Sequence, residues 1–441
     1  MSGPGRLACR VPRAESGHWG RDGSKKWNNG TNMFGKTPLI MIEDDAALVA
    51  MVEKVRGTPV VGVDTEADSF HAFQEKVCLV QLSDLETDYI IDPLKIDDMS
   101  PLGTIMEDPN TVKIFHGADY DIVSMRRDFG CGFVNVFDTM ISAQFLGFDK
   151  VGLADLIRRF FGHVIDKKYQ RHDWARRPLL EEHLSYARGD THWLPAIREM
   201  LLIQLKRSDR LDAVAEECAI VQERTWQGRK NTEADFLRVK GIKDLSVEDL
   251  RVLRAVWGYR NGKAKAANRP AFKLIPDPFL VGLAKAKPLD ASELNKLARK
   301  GSSMLRRHGD ALLAAVKEGI ADDRPIPEVP KAARNRVPRV GPGVDRYLNP
   351  LKDWRNNKVK TTGVAPVAVA NNTLLKEVAR LTPVDMDALA EVPGIRKWQI
   401  KAWGEELLAI VAGVGAKRAE NPDPKPRRRR RGKKDGGEIG S

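Results

Sequence analysis

The chain has 441 residues and a formal net charge of +13, a length that suggests two to four domains, each able to bury its own core. Lys425 to Lys434 carries eight cations and no acid, and Met1 to Lys36 seven cations against two acids, so the interior is formally neutral and the basicity belongs to the flanks. Four widely spaced cysteines, Cys9, Cys78, Cys131 and Cys218, argue against a disulfide scaffold or zinc site, no apolar run reaches the roughly 18 residues of a membrane span, and the start lacks a secretory core; a soluble cytoplasmic protein, free of membrane, is expected.

Residues 1–36 are rich in Gly, Arg, Ser and Asn without periodicity and are expected to be disordered, with Met33 an alternative start. Over 37–208, short apolar runs alternate with helical patterns, as an α/β domain requires. Strands are predicted at Val60–Val63, Val77–Leu82, Tyr89–Ile91 and Val112–Phe115, the first three forming a meander in a mixed sheet. Helices are predicted at Asp44–Arg56, Tyr120–Phe129, Thr139–Leu146, Leu153–Phe160 and, unbroken, Glu181–Lys206. A connecting helix is expected within 209–230, then one helical domain over 231–320, a Pro/Arg-rich linker over 321–342, a second helical domain over 343–415 and a disordered basic tail over 416–441.

The two helical domains read as copies. A shift of 95 positions, without a gap, aligns Arg260-Asn261 with Arg355-Asn356, Lys263 with Lys358, Lys265 with Lys360, Leu280 with Leu375, Asp290 with Asp385 and Leu294 with Leu389. The period is too long for a solenoid unit and fits a duplicated domain.

Three segments concentrate acids. Val60-Val61-Gly62-Val63 leads into Asp64-Thr65-Glu66, where strand alternation puts both acids on one face at the strand's end. Such a pair would repel and be desolvated unless a cation compensates, the alternative being a solvated loop. Ile114 to Ile122 reads as a strand opening into a helix, where either Asp119 or Asp121 could reach a site or cap the helix, and His116 could be ligand or structural. Tyr186 and Asp190 lie four apart on a helical pattern and so share a face.

VGVDTEADSF, KIFHGADYDI and YARGDTHWL resemble, in order, the three exonuclease motifs of the DEDD superfamily, in the subclass with a Tyr four residues before the last Asp. VFDT at 136–139, VGLADL at 151–156 and KKYQRHDWARRPL at 167–179 bring the resemblance to the ribonuclease D family, and WGYRNGKAKAANRP and HGDALLAAV resemble its HRDC modules. The resemblance implies an α/β ribonuclease H-like exonuclease domain with a mixed sheet, followed by two all-α helical-bundle HRDC domains. It selects Asp121 over Asp119, and implies that Asp64, Glu66, Asp121 and Asp190 hold two Mg²⁺ or Mn²⁺ ions while Tyr186 orients the attacking water. It further implies a 3′-5′ exoribonuclease that releases nucleoside 5′-monophosphates from RNA with a free 3′ hydroxyl, tRNA precursors among its substrates. A monomer with no small-molecule cofactor is expected. His116, Trp174, Arg177, Lys263, Lys265, Arg269, Lys358 and Lys360 are candidate nucleic-acid contacts, Trp174 alternatively being buried packing. Asp138 is expected to cap the helix beginning at Thr139, and the run Arg427–Arg431 to add salt-dependent affinity. A DNA repair exonuclease and a non-catalytic nucleic-acid scaffold are the competing readings; no GxxxxGK[ST] loop is present to suggest an attached helicase.

Overall fold

A computed structural model describes residues 37–226, 233–298, 302–327 and 342–420. The expected N-terminal extension, the alternative start at Met33, most of the linker and the polybasic run lie outside these residues. Among the described residues no helix is long and apolar enough to cross a membrane.

The N-terminal part runs β1 (Leu39–Ile42), α1 (Asp45–Val55), β2 (Val60–Ala67), β3 (Val77–Ser83), β4 (Asp88–Ile91), β5 (Val112–Phe115), α2 (Asp119–Phe129), β6 (Val136–Asp138), α3 (Thr139–Phe145), α4 (Leu153–Phe161), α5 (Glu181–His192) and α6 (Leu194–Arg207), with α7 (Leu211–Gln222) leading out. One six-stranded sheet has the order β1-β4-β3-β2-β5-β6. β2, β3 and β4 form the antiparallel meander expected from their spacing, and β1, β5 and β6 pair in parallel with their neighbours, so the sheet is mixed. Two short strands were not predicted: edge strand β1 and three-residue β6 carry too few residues to display an alternation.

Two sequence expectations need correction. β2 does not end at Val63 but continues to Ala67, so Asp64 and Glu66 sit within a paired strand rather than beyond it. The long helix expected over Glu181–Lys206 is broken at Trp193, with Pro195 in the first turn of α6, a position that proline's missing N–H tolerates. The two helices bury different faces, Ala187 of α5 packing with Leu79 and Trp174 and Leu194, Ile197 and Leu201 of α6 joining Phe145 and Trp193.

Alternation on β2 divides the domain into layers. Val61 and Val63 face a core shared with Leu48 and Val52 of α1 and Ile122 and Met125 of α2. The opposite face carries Gly62, Asp64 and Glu66, and α5 and α6 pack on that strand. A Cβ on Gly62 would lie 2.8 Å from the Thr191 carbonyl oxygen and 3.1 Å from Leu194 Cβ. Glycine there lets the α5–α6 junction descend onto the sheet beside the acids.

The C-terminal half is helical: α8 (Val247–Ala266), α9 (Asp277–Ala286) and α10 (Ser303–Ala321), then α11 (Pro342–Thr362), α12 (Asn372–Leu381) and α13 (Lys397–Glu420), joined by short helical turns. The 95-residue register recurs in the contacts. Arg260 donates to the Ile275 carbonyl at 3.1 Å and to Asp277 at 2.6 Å; Arg355 donates to the Ala370 carbonyl at 3.2 Å and to Asn372 at 2.8 Å. Asp290 and Asp385 each cap a short helix, accepting from the N–H three residues on.

The copies differ in what they pack against. The first has its own core, built around Phe236, Leu253, Leu280 and Leu312. The second shares one core with the α/β domain, Leu351, Val369 and Leu375 joining Phe145, Trp193 and Leu201. Polar contacts fasten that seam: Arg210 donates to the carbonyls of Phe145 and Thr362 at 2.6 and 2.7 Å, and Glu216 accepts from the N–H groups of Lys397 and Trp398 at 2.8 and 2.9 Å.

Candidate active site

Asp64 and Glu66 rise from β2 and Asp190 comes down from α5, so that one carboxylate oxygen of each lies within 4.8 Å of the others. Asp121, in the first turn of α2, is buried, and its Oδ1 accepts a 2.6 Å hydrogen bond from Thr65 Oγ1. Asp119 instead is exposed and pairs with Arg224 at 2.9 Å, away from the cluster. The geometry therefore separates the two acids that spacing alone left open.

Burial, and after it mutual repulsion, raises the proton affinity of the cluster. Asp64 is pushed well above the usual carboxylate range by desolvation, then by Asp121, Asp190 and Glu66. Glu66 is raised by burial, then by Asp190 and Asp121. Burial pushes Asp190 up to about 7, with Asp121 adding to it, and pushes Asp121 to about 6 against the opposing bond from Thr65. The leading charge effects on Asp64, Glu66 and Asp190 come from other acids of the cluster, with no basic side chain among them. Four carboxylates, Asp121 buried and the other three half-buried, with no basic side chain among their leading charge effects, fit a hard divalent cation.

Tyr186 is held half-buried on α5, its ring 5.9 Å from that of Trp174 and 6.1 Å from that of Tyr169. Burial, then the charge of Asp190, keeps its hydroxyl protonated far above neutral pH. The helix is anchored by Arg188, two residues before Asp190, which donates to Asp88 on β4 and to the Thr37 carbonyl, each at 2.6 Å. Ser83 joins the same node, bonding both Asp88 and Thr191.

Several candidate contacts find other work. Trp174 is 1% exposed and cannot offer a face to a base; it is the packing behind Tyr186. Arg177 is spent on a two-pronged pair with Asp92 at 2.6 and 2.7 Å and on the carbonyls of Cys78 and Trp174, tying its loop to the sheet. His116 stands beside Thr139, Nδ1 to Oγ1 at 2.9 Å. Because the Thr139 hydroxyl spends its one hydrogen on the Phe115 carbonyl, Nδ1 must be the donor, and burial lowers the imidazole to about 4, leaving it neutral. Asp138 caps α3 as expected, and accepts as well from the N–H groups of Gly117 and Ala118, fixing the turn into α2. In the helical copies, Lys263, Lys265, Arg269 and Lys360 are exposed, whereas Lys358 pairs with Glu406 at 2.6 Å.

One residue escaped the sequence reading. Gln81 on β3 is directly opposite Asp64, fully buried, with neither amide atom hydrogen-bonded, an arrangement that costs about 1–3 kcal/mol. The signal was a lone amide inside the apolar run Val77-Cys78-Leu79-Val80-Gln81-Leu82.

Known proteins share this arrangement. Residues 39–206 match the 3′-5′ exonuclease family model, and 249–316 and 345–411 match the HRDC domain. The ribonuclease D of Granulibacter bethesdensis is 30% identical over 385 residues, spanning 86% of this chain and 94% of its own. The chain belongs to the ribonuclease D family. The Gluconacetobacter diazotrophicus ribonuclease D is 29% identical over 87% of this chain and 95% of its own. Escherichia coli RNase D, described as an exoribonuclease involved in structured RNA processing, superposes with a TM-score of 0.59 at 26% identity, over 87% of this chain and 99% of that one. The catalytic core of RRP6 from Trypanosoma brucei gives a TM-score of 0.58 at 28% identity over 66% of this chain and 82% of that one. The chain is a ribonuclease D-like 3′-5′ exonuclease, with its exonuclease domain ahead of two HRDC domains.

Proposed function

We propose that the protein is a two-metal 3′-5′ exoribonuclease that trims the 3′ ends of structured RNAs, tRNA precursors among them, and releases nucleoside 5′-monophosphates. The observation that carries this is the half-buried cluster of Asp64, Glu66 and Asp190 with buried Asp121 beside it, drawn from β2, α5 and α2 at the family's motif positions. These acids would hold two Mg²⁺ or Mn²⁺ ions. Bound there, the ions would activate water and stabilise the departing 3′ oxygen.

The chain's own part is positioning. Asp64 and Glu66 ride on a paired strand and Asp190 on a helix anchored through Arg188, so the donors are held before substrate arrives. Tyr186 stays a phenol, and therefore acts as a hydrogen-bond partner that orients water rather than as a base. Lys263, Lys265 and Arg269 of the first HRDC copy would meet RNA phosphates, a contact that gives affinity without reading sequence. Lys358 is already neutralised by Glu406, which leaves Lys360 as the second copy's candidate. The protein would act as a monomer on RNA with a free 3′ hydroxyl, needing no small-molecule cofactor.

The test incubates purified protein with matched RNA and DNA strands labelled at the 5′ end, with Mg²⁺, Mn²⁺ or EDTA. A ladder shortening from the 3′ end of RNA, abolished by EDTA, is expected. Equal digestion of DNA would overturn the substrate assignment, and hydrolysis in EDTA the metal assignment.

A further inference from the structure

Directly opposed residues of an antiparallel pair project from the same face with Cβ atoms about 4.5–5.5 Å apart. Gln81 and Asp64 are such a pair. Gln81's other cross-strand neighbour, on β4, is Ile90, which has no polar side chain to offer. Along β3 the same face carries Leu79, packed in an apolar cluster with Trp174 and Ala187, and Ser83, whose hydroxyl already serves Asp88 and Thr191. Gln81 itself is fully buried, and neither its Oε1 nor its Nε2 has a partner. A methionine or leucine would fill this space without stranding two polar atoms. Of the two residues directly opposite Gln81, only Asp64 can accept from its amide.

We propose that Gln81 is a positioning residue for the metal-holding carboxylate of Asp64: with a cation bound, its unpartnered Nε2 would donate to one carboxylate oxygen and leave the other turned toward Glu66 and Asp190. The neighbouring acid has such an arrangement already, since Thr65 Oγ1 donates to Asp121 at 2.6 Å. Outer hydrogen bonds of this kind fix a ligand's orientation and favour its charged form, and their loss typically costs about 10- to 100-fold in metal affinity. The inference rests on the two-metal reading above.

The test is Gln81→Met, close in length and volume and apolar, in the full-length protein. Mn²⁺ binding is measured by titration with electron paramagnetic resonance detection, alongside melting in EDTA and kcat and KM on a short RNA. The variant should keep its circular dichroism and melt in EDTA no lower than the parent, while Mn²⁺ affinity falls about 10- to 100-fold. kcat should fall at fixed low metal and recover as Mn²⁺ is raised, with KM for RNA unmoved. Unchanged Mn²⁺ affinity in a folded variant would overturn the inference and leave the metal reading standing, as would lowered melting with unchanged metal binding. Absence of Mn²⁺ binding in the parent protein would overturn the metal reading and this inference with it.

Discussion

Replacing Asp190 by Asn should stabilise the metal-free protein at pH 8 while destroying its response to metal. In the folded chain Asp190 holds its proton up to about pH 7; its ordinary value is 3.8. Between those values the folded state keeps a proton that the unfolded chain has released, so this group's contribution to stability falls as pH rises and is fully adverse above pH 7. The separation of about three units corresponds to about 4 kcal/mol. For a domain of this size that is on the order of 10 °C in melting temperature. An asparagine of the same shape carries no charge and escapes the penalty. The assay is thermal melting of parent and Asp190→Asn in EDTA at pH 5 and pH 8, repeated with Mn²⁺. At pH 8 in EDTA the variant should melt several degrees higher than the parent, and at pH 5, still above the ordinary value of 3.8, the difference should shrink to less than half. Mn²⁺ should raise the parent strongly at pH 8 and little at pH 5, where protons compete for the same oxygens. An Asp190→Asn variant that melts lower than the parent in EDTA at pH 8 would refute the argument that burial, with Asp121 beside it, makes an ionised Asp190 costly.

Asp64→Asn should reduce RNA hydrolysis to background without loss of fold or of RNA binding, measured by the labelled-RNA ladder and by filter binding; turnover with Mg²⁺ would remove Asp64 from the machinery. Tyr186→Phe should lower kcat by on the order of 10²-fold while Mn²⁺ affinity is unchanged, since only the water-orienting hydroxyl is lost; a parallel loss of metal binding would assign the phenol a different role. Ala311→Glu places beside Lys263 the acid that Glu406 supplies to Lys358 in the other copy. It should flatten the dependence of RNA affinity on salt by about 0.7 in log–log slope, the share of one single-strand phosphate contact, and an unchanged slope would show that Lys263 does not meet phosphate.

Much of this was legible in the sequence because the relevant patterns are short and local. The meander shows as three apolar runs close together, and the cap at Asp138 as an acid before a helical pattern. The duplicated core shows as one ungapped register that survives in the Arg260 and Arg355 contacts. What was not legible depends on partners distant in sequence. Trp174 and Arg177 look like an aromatic-basic surface until the fold brings Tyr186 behind one and Asp92 against the other. Spacing alone left Asp119 and Asp121 open and only the family motif favoured Asp121; the physical difference lies in Arg224 and Thr65, 105 and 56 positions away. Gln81 was hidden for the opposite reason: strand periodicity marks which residues are buried, and says nothing of whether a buried amide has a partner.

The two HRDC copies share a backbone register but not a thermodynamic unit, and this has a measurable consequence. Leu351, Val369 and Leu375 of the second copy are buried in the same core as Trp193 and Leu194, adjoining the helix that carries Asp190, whereas the first copy closes its core with its own residues. An aromatic chain extends the shared packing: Trp354 and Trp403 are 5.7 Å apart, Trp403 and Trp398 5.1 Å, and Trp398 and Phe145 5.1 Å. At the positions of Trp354 and Trp403 the first copy has Tyr259 and His308, which satisfy one another through a 2.9 Å hydrogen bond. A ligand that binds only the folded α/β domain stabilises whatever unfolds together with it. Saturating Mn²⁺ should therefore slow amide hydrogen exchange in α11, α12 and α13, none of which carries a proposed metal ligand, while α8 and α10 are unaffected. Exchange that slows equally in both copies would mean that the first also unfolds with the catalytic domain, and exchange that slows in neither would mean that the shared core does not couple the second copy to the site.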